Sequence, residues 1–313
     1  MSFSEAALPP SVSSRAETRV PSELRRFYKA LWVAPLVFAL IVTTLYPTIF
    51  LIALATTKST LGKPFRSFVG LKNITGSLAD AAFQLTVVKG VAFAFASAIV
   101  EIVVGFALAC LFVALMKAGR YLLIVVLLPL MTPPVMVGVA WKLILAPSGG
   151  LLNGVLMNMG ITDAPISFLA TPVPAWLSIG IADLWQWVPF VTILCFAALV
   201  SLPEGVHEAS LIDGAGPWQR LRHITLPLVA APLASIFLLK LIIGFKLFDL
   251  VYVLTFGGPG LTTTTATFSI WRLALEQFDV GKAAAQTLIY AIVIGIVTIP
   301  VVRLHRWASE HYS

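Results

Sequence analysis

The stretch LPEGVHEASLIDGAGPWQRLRHITLPL occupies residues 202–228 and lies between two long apolar runs. Its first part, EGVHEASLID, has the composition of a short helix that begins after Pro203. The glycines and the proline of residues 214–217 interrupt that helix, because glycine favours turns and proline cannot continue a helix. The stretch therefore predicts a helix, a turn and a second short helix that connect two apolar segments.

The overall composition is that of a membrane protein. Apolar residues make up 59% of the 313 residues and charged residues only 11%, whereas a soluble domain carries about 25% charged residues. The apolar residues occur in runs of roughly 20, long enough to cross a bilayer as helices. The sequence therefore predicts an all-α, polytopic membrane protein. Its net charge of +7 is expected on loops at the membrane surface, not in a nucleic-acid site.

Six membrane-spanning helices are predicted. They cover approximately residues 31–55, 87–116, 121–145, 175–200, 228–256 and 284–302. The third contains Pro129, Pro133 and Pro134. We expect it to be kinked and surrounded by other helices, since neighbours can satisfy the backbone groups that proline frees.

The remaining segments are polar. Residues 1–21 are rich in Ser, Pro, Ala and charge and are predicted to be disordered. Residues 22–305 are predicted to form the transmembrane domain, with the polar loop at about 201–227, and residues 306–313 a tail. An excess of Lys and Arg at the N-terminus and in the loop near residues 117–120 places both termini and the polar loop in the cytoplasm.

The polar loop has two interpretations: an interfacial loop whose arginines contact membrane lipid phosphates, or a docking element for another protein. Its residue spacing favours the second. The spacing is Glu208-Ala209-Ser210, three residues, Gly214, nine residues, Ile224, one residue, and Leu226-Pro227. It resembles the signature loop of ABC importer permeases, with serine in place of alanine at the third position.

Further stretches carry the same resemblance. They are FVGLKN (68–73), LLPLMTPPVMVGVAWKLILAPSGGLLN (127–153), WQWVPFVTILCFAALVSLPEGVHEASLIDGAG (185–216) and FKLFDLVYVLTFGGPGLTTTTATFSIWRLALEQFDVGKAAA (245–285). Residues 30–305 together resemble a permease subunit of the carbohydrate-uptake, maltose-type group of binding-protein-dependent ABC importers. The resemblance implies the type I ABC importer permease fold, with six transmembrane helices, in the bacterial cytoplasmic membrane.

The resemblance also implies partner proteins. A second, homologous permease would complete a heterodimer, two ATP-binding subunits would hold ATP and magnesium, and an extracytoplasmic solute-binding protein would deliver the solute. The polar loop would be a coupling helix that docks on an ATP-binding subunit. The residues expected at that contact are Glu208, Ala209, Ser210, Asp213 and Gly214.

This chain itself is expected to hold no cofactor, no metal and no catalytic residue. FGGPG at residues 256–260 is glycine-rich, but no Lys-Ser or Lys-Thr follows it, as a phosphate-binding loop requires. That motif is missing from the whole sequence. ATP hydrolysis is therefore assigned to another polypeptide, and the chain is predicted not to be an enzyme.

Polar residues inside the apolar runs indicate a solute pathway, since each is costly in lipid. DLWQWVPF (183–190) combines aromatic rings with a carboxylate and an amide, a chemistry that suits a sugar, although a tryptophan belt at the membrane interface also explains Trp185. These features and the resemblance predict pathway residues at Asp183, Gln186, Trp187, Phe190, Lys240, Ile243, Gly244 and Leu247.

Several alternatives stay open at this point. Lys240 departs from the uncharged residue that the resemblance leads us to expect, which leaves a sugar, a polyol, glycerol, or an anionic sugar or glycerol phosphate as the solute. Lys240 either contacts that solute or pairs with Glu101, which lies at a similar depth. Asp183 likewise either contacts the solute or forms a structural ion pair. Lys246 and Asp249 either pair on one helix face or contact the solute. A stand-alone secondary transporter or channel is the alternative function, but it would not need the coupling loop.

Overall fold

The computed structural model describes residues 22–115 and 126–312. The side chains of residues 22–30, Glu204, His207, Glu208, 307–309, 311 and 312 also fall outside the description. The predicted disorder of residues 1–21 and the beginning of the third predicted span lie outside the described residues. Those predictions stay untested.

The chain divides into two units, residues 1–50 and 51–313. The described part of the first unit belongs to helix α1, Ser22–Ala55. From residue 31 to residue 50 every side chain is exposed, although most are apolar. Such a surface is stable in lipid and not in water.

The second unit is almost entirely helical. A short antiparallel hairpin, β1 (Thr57–Thr60) and β2 (Lys63–Phe68), follows α1. The helices that follow are α2 (Lys72–Leu78), α3 (Ala81–Ala114), α4 (Pro134–Ile144), α5 (Leu151–Asn158), α6 (Pro172–Val200), α7 (Glu204–Ile212), α8 (Pro217–Arg220), α9 (Leu226–Leu228), α10 (Ala230–Gly244), α11 (Ala266–Leu275) and α12 (Val280–Tyr312). Two π-helical turns, Leu221–Thr225 and Val251–Thr255, lie beside α9 and after α10.

Four of the described helices are long and apolar enough to cross a bilayer, and they correspond to the first, second, fourth and sixth predicted spans. The all-α, polytopic prediction is confirmed. The boundaries differ, since α3 begins at Ala81 and α12 at Val280, outside the predicted 87 and 284. In the described part of the third predicted span, a turn precedes α4, and Pro133 and Pro134 begin that helix. The prolines therefore interrupt this segment instead of only kinking it.

The fifth predicted span is bent at one end and broken at the other. The segment Pro217–Leu228 meets α10 at an angle of 68°. Pro232 explains the bend, because its ring clashes with the carbonyl four residues earlier, at Leu228. After Gly244 the chain leaves the helix and becomes helical again only near Asp249. Residues 228–256 therefore do not form the single continuous helix that was predicted.

Small residues bring the spans of the second unit close together. A Cβ atom on Gly105 of α3 would lie 2.7 Å from Cγ1 of Val191 and 3.1 Å from the backbone N of Thr192, both in α6. A Cβ atom on Gly244 of α10 would lie 3.0 Å from Cα of Ala94 in α3. Lipid gives no hydrophobic drive for helix association, so such close backbone approach is a main source of packing energy.

The Gly105 contact predicts a selective effect of one added methyl group. Gly105→Ala should destabilise the chain by about 1–3 kcal/mol, because α3 and α6 must separate to accept it. Gly180→Ala on α6 is the matched control, since nothing lies within 4 Å of its Cβ position. Thermal unfolding of the detergent-solubilised protein should show a lower midpoint for Gly105→Ala only. Equal midpoints for the two variants would show that this helix contact is loose.

Candidate functional site

Three charged side chains from three different spans meet in the interior. Nζ of Lys240 on α10 lies 3.1 Å from Oε1 of Glu101 on α3 and 3.4 Å from Oδ2 of Asp183 on α6. The side chains of Lys240 and Glu101 have no exposed surface, and that of Asp183 has very little. We call these three residues the buried triad.

The two contacts of Lys240 differ in kind. Its ammonium donates a hydrogen bond to Oδ2 of Asp183. The approach to Glu101 has the distance of an ion pair without hydrogen-bond geometry, and both Glu101 oxygens lack a hydrogen-bond partner among the described residues. Glu101 is thus held by charge. Pairing with Glu101, one of the two alternatives for Lys240, is what the structure shows, and Asp183 joins the same ion pair.

Lys240 also contacts the aromatic pair on α6. Its Nζ lies 4.8 Å from the centroid of the Trp187 ring, within the range of a cation–π contact. Trp187 in turn meets Phe190 edge to face, with ring centroids 6.0 Å apart. The buried triad and these two rings therefore fix one another in position.

A cavity of about 270 Å³ lies beside the buried triad, at the point where α10 is broken. Of the predicted pathway residues, its lining includes Asp183, Gln186, Trp187, Ile243, Gly244 and Leu247. The other lining residues are Pro134, Lys246, Phe248, Asp249 and Leu250. Phe190 and Lys240, also predicted for the pathway, are not part of the lining. Lys240 has no exposed surface because the two carboxylates hold it behind the cavity wall, so it is not available to a solute here.

Side chains from the following helices satisfy the backbone where α10 is broken. The Leu247 carbonyl accepts hydrogen bonds from the hydroxyls of Thr265 and Thr267. The hydroxyl of Tyr290 on α12 donates to the Phe245 carbonyl at 2.9 Å. Non-helical backbone is tolerated at membrane depth only where it is paired in this way or lines a cavity. Here both conditions are met.

Gln186 connects the cavity to the start of α4. Its Nε2 donates a hydrogen bond of 3.0 Å to the carbonyl of Thr132, in the turn before Pro133 and Pro134. That carbonyl belongs to the segment that the prolines interrupt. The same amide carries an oxygen that can accept a hydrogen bond. Gln186 thus has a structural contact while it lines the cavity.

The Lys246–Asp249 ion pair, one of the two alternatives for these residues, is not among the ion pairs of the described residues. Lys246 lies in the turn after α10, and Asp249 lies where the helix resumes. The two residues therefore do not share a helix face, which i,i+3 pairing requires. Both line the cavity instead.

The two neighbouring tryptophans of α6 have different surroundings. Trp185 is exposed and meets Trp141 edge to face at 6.4 Å. Trp187 is partly buried and lines the cavity. An exposed tryptophan on a membrane span fits an interfacial belt, and of these two tryptophans Trp187 is the one that lines the cavity.

The polar loop forms the predicted helix, turn and second helix. Helix α7 ends at Ile212, and Gly214 adopts a φ of +72°, a conformation that favours glycine. The Ala215 amide donates to the Ser210 carbonyl and closes the turn. The side chain of Ser210 is buried, while Ala209, Asp213 and Gly214 are exposed. The side chain of Glu208 lies outside the described residues.

Three exposed apolar side chains surround this turn. Ile212 is 86% exposed and Trp218 68% exposed, and Leu211 is also exposed. We call these three residues the loop tip. The prediction of coupling residues named small and charged positions and missed the loop tip. The signal was available: apolar residues immediately before Asp213-Gly214 in an otherwise polar segment.

Spans of bilayer length, a cavity at a broken helix and a helical loop with an exposed apolar tip together define a membrane permease subunit. The chain belongs to the family described as binding-protein-dependent transport system inner membrane component, whose model matches residues 101–312. It is accordingly a multi-pass inner-membrane protein and not an enzyme, since ATP hydrolysis in these importers belongs to a separate subunit.

Individual relatives agree with this assignment. The chain is 34% identical to the trehalose/maltose transport system permease protein MalF of Thermococcus litoralis, over 80% of this chain and 83% of that protein. It is 29% identical to a probable starch degradation products transport system permease protein, AmyD, of Thermoanaerobacterium thermosulfurigenes, over 86% and 90% of the two chains. The resemblance to maltose-type permeases drawn from the sequence is confirmed.

A solved structure shares the fold. A chain from a bacterial ABC transporter involved in the import of the acidic polysaccharide alginate superposes with a TM-score of 0.79. The match covers 93% of this chain and 98% of that one at 20% sequence identity. At that identity the likeness concerns the fold alone.

The buried triad predicts the effect of removing its only cation. Lys240→Met keeps the length of the side chain but leaves two buried carboxylates unpaired, which costs about 3–5 kcal/mol. We expect the purified yield of assembled permease to fall sharply. The double variant Lys240→Met with Glu101→Gln should recover it in part, because one of the two unpaired charges is gone and that of Asp183 remains.

The same measurement separates bracing from solute contact. Gel filtration of the solubilised complex reports assembly, and uptake into proteoliposomes reports transport. Normal assembly of Lys240→Met with altered transport, and no effect of Glu101→Gln, would contradict the bracing role.

Proposed function

We propose that this chain is one permease subunit of an ATP-driven importer and forms half of the pathway for a neutral, hydroxyl-rich solute, a sugar or polyol. Its partners would be a second, homologous permease, two ATP-binding subunits that hold ATP and magnesium, and an extracytoplasmic solute-binding protein. Both termini of the chain would be cytoplasmic. The observation that carries the proposal is the helical loop with its exposed apolar tip.

The loop tip supports docking on an ATP-binding subunit. Apolar side chains clustered on a polar, water-facing loop mark an interaction surface. Isoleucine and tryptophan beside a rigid glycine turn can fill a groove on a partner, and buried apolar anchors of this kind dominate interface energies. The coupling residues Glu208, Ala209, Asp213 and Gly214 would flank this contact, while Ser210 would stabilise the loop from inside.

The bend above the loop suits transmission of movement into the membrane. The segment Pro217–Leu228 and helix α10 meet at 68° and are joined through a single residue, Val229. Force applied at the loop tip would reach α10 at this joint. Helix α10 carries Lys240 and ends at the cavity. It would therefore connect the docking loop to the solute pathway.

The cavity chemistry supports a neutral solute. Charged side chains in the lining are Asp183, Lys246 and Asp249, so the wall has no excess of positive charge. The positive charge of Lys240, which first suggested an anionic solute, is paired within the buried triad. The ring of Trp187 and the amide of Gln186 offer a stacking face and hydrogen bonds. Relatives named for trehalose, maltose and starch degradation products support the same solute class.

Phe190, Ile243, Gly244 and Leu247 complete the proposed pathway. Phe190 would act through its edge-to-face contact with Trp187. Gly244 permits the close approach of α10 to α3 and leaves room beside the cavity. Ile243 and Leu247 would provide apolar surface for the C–H faces of a sugar.

The loop tip predicts a loss of coupling when it is made polar. Ile212→Asp places a charge in the proposed groove and should weaken docking by about 2 kcal/mol, or roughly 30-fold. Co-purification of the ATP-binding subunits and ATP-driven uptake should both fall, while the permease pair still inserts. Leu61→Asp, at an exposed leucine in the β1–β2 turn, is the matched control and should change neither. Normal uptake by Ile212→Asp would exclude the loop tip as the docking element.

The cavity predicts unequal roles for the two tryptophans of α6. Trp187→Leu should lower the rate of ATP-driven uptake about tenfold, which corresponds to roughly 1.4 kcal/mol of lost interaction. Trp185→Leu, two residues away and exposed, should leave the rate unchanged. Proteoliposomes containing the whole importer and its binding protein provide the measurement. Equal rates for both variants would place the solute path elsewhere.

The solute class has its own test. Mass spectrometry of the ligand that co-purifies with the cognate binding protein should identify a neutral sugar or polyol. A phosphorylated or carboxylated ligand would contradict the neutral assignment. Uptake that proceeds without ATP and without the ATP-binding subunits would favour the alternative, a stand-alone secondary transporter or channel.

A further inference from the structure

A second cavity, of about 310 Å³, lies where α3 and α12 begin. The first turns of both helices, α11 and the loop before α11 supply its lining, and none of these residues lines the cavity at the buried triad. The volume is at the lower limit of small-molecule pockets. A ligand in this headgroup cavity, as we call it, must therefore be small.

The headgroup cavity lies at the level of the membrane surface. Helix α3 has 34 residues, or about 51 Å at about 1.5 Å per residue. The hydrocarbon core is only about 30 Å thick. If α3 is centred in the bilayer, roughly 10 Å at each end extends into the polar headgroup layers. The residues from Asp80 to Lys89 lie at that end of the helix, and six of them line the cavity: Asp80, Ala82, Phe83, Leu85, Thr86 and Lys89.

One ion pair in the cavity is already complete. Nζ of Lys282 donates to Oδ2 of Asp80 at 3.0 Å, and this hydrogen bond is the main reason that the pKa of Asp80 lies below its usual value. The amides of Ala82 and Phe83 donate to the other carboxylate oxygen. Asp80 is thus ionised at neutral pH and fully engaged. It closes one wall of the cavity and offers little to a ligand.

Two further cations in the lining keep donors to spare. Lys89 donates to the Leu261 carbonyl at 2.8 Å, and Nε of Arg272 donates to Glu276 at 3.0 Å. A lysine ammonium has three N–H donors and a guanidinium five, so neither residue is saturated by these bonds. Both residues line the same cavity, so an acceptor-rich anionic group in it, such as a phosphate, can accept hydrogen bonds from them.

Gln286 needs a hydrogen-bond donor, whereas Lys89 and Arg272 need acceptors. Its side chain lines the cavity and is only 3% exposed, and its Oε1 has no hydrogen-bond partner among the described residues. A buried acceptor without a donor costs about 1–3 kcal/mol. A ligand that fills this cavity must therefore also carry an N–H or O–H group.

We propose that the headgroup cavity binds the phosphoethanolamine headgroup of a membrane phospholipid. The phosphate would meet Lys89 and Arg272, and the ammonium would donate to Oε1 of Gln286. An anion without an N–H or O–H group would leave Gln286 unpaired, and a simple cation would face the two basic side chains. A zwitterion with both groups on a short arm satisfies all three residues.

The surroundings of the cavity favour a lipid over a free solute. Leu85 and Leu261 line the cavity and are both exposed. Leu85 lies in the second turn of α3 and Leu261 in the loop before α11, so their apolar surface adjoins the cavity near the border between headgroups and acyl chains. A lipid seated here places its headgroup in the cavity and its chains against these leucines.

The experiment compares two lipids that differ only in the amine. The complete importer, purified in detergent, is incubated with ethanolamine and choline phospholipids of identical acyl chains, and native mass spectrometry counts the lipids retained. The choline ammonium has no N–H to donate. The wild-type complex should prefer the ethanolamine lipid about fivefold, the worth of one hydrogen bond. Gln286→Leu should abolish the preference, and Arg272→Gln should lower retention of both lipids.

Controls make each outcome decisive. Arg66→Gln changes an exposed arginine on β2 and should leave retention and preference as in the wild type. Inorganic phosphate should not displace the lipid, and displacement would show that the site takes free phosphate instead. Equal retention of the two lipids by the wild-type complex would overturn the proposal. If Gln286→Leu does not assemble, Arg272→Gln decides, because its side chain is partly exposed, and unchanged retention would refute the site.

Discussion

The pairing of Lys240 with Glu101 and Asp183 is the constraint on which the interior depends. A charge at membrane depth is tolerated only with a partner, and these three residues come from three separate spans. The requirement for pairing therefore fixes α3, α6 and α10 relative to one another. It also withdraws the lysine from the cavity and sets the ring of Trp187 in place. A charge that appeared functional in the sequence thus acts mainly by organising the wall of the site.

The break after α10 depends on the same requirement that buried polar groups be paired. Leaving the helix frees carbonyls that lipid cannot satisfy. Thr265, Thr267 and Tyr290 supply the missing donors from helices that follow in the chain. The cavity can exist because these hydroxyls hold an irregular backbone in a defined shape. Thr265 just before α11, Thr267 in α11 and Tyr290 in α12 therefore contribute to the site, although they do not line the cavity.

The polar loop of residues 202–228 depends on local contacts instead of long-range pairing. Its turn is determined locally, by Gly214 and by the hydrogen bond between Ala215 and Ser210. Its apolar tip, by contrast, is exposed: Ile212 is 86% and Trp218 68% exposed. In the proposed function, this turn would transmit force and the exposed side chains would meet a partner. The bend at Val229 connects that rigid element to α10.

The sequence by itself determined the membrane class, four of the described spans, the helix–turn–helix of residues 202–228 and the family. Each of these follows from local signals: runs of apolar residues, the positions of glycine and proline, and a motif of fixed spacing. The similar depth of Glu101 and Lys240 made their pairing one of two alternatives, and the structure decided in its favour. Only the tertiary structure decided that Asp183 joins that pair, that Lys240 is fully buried and does not line the cavity, and that Lys246 and Asp249 do not share a helix face. The physical reason is that depth in a membrane can be read along one helix, whereas the direction of a side chain depends on how several helices rotate and break against one another.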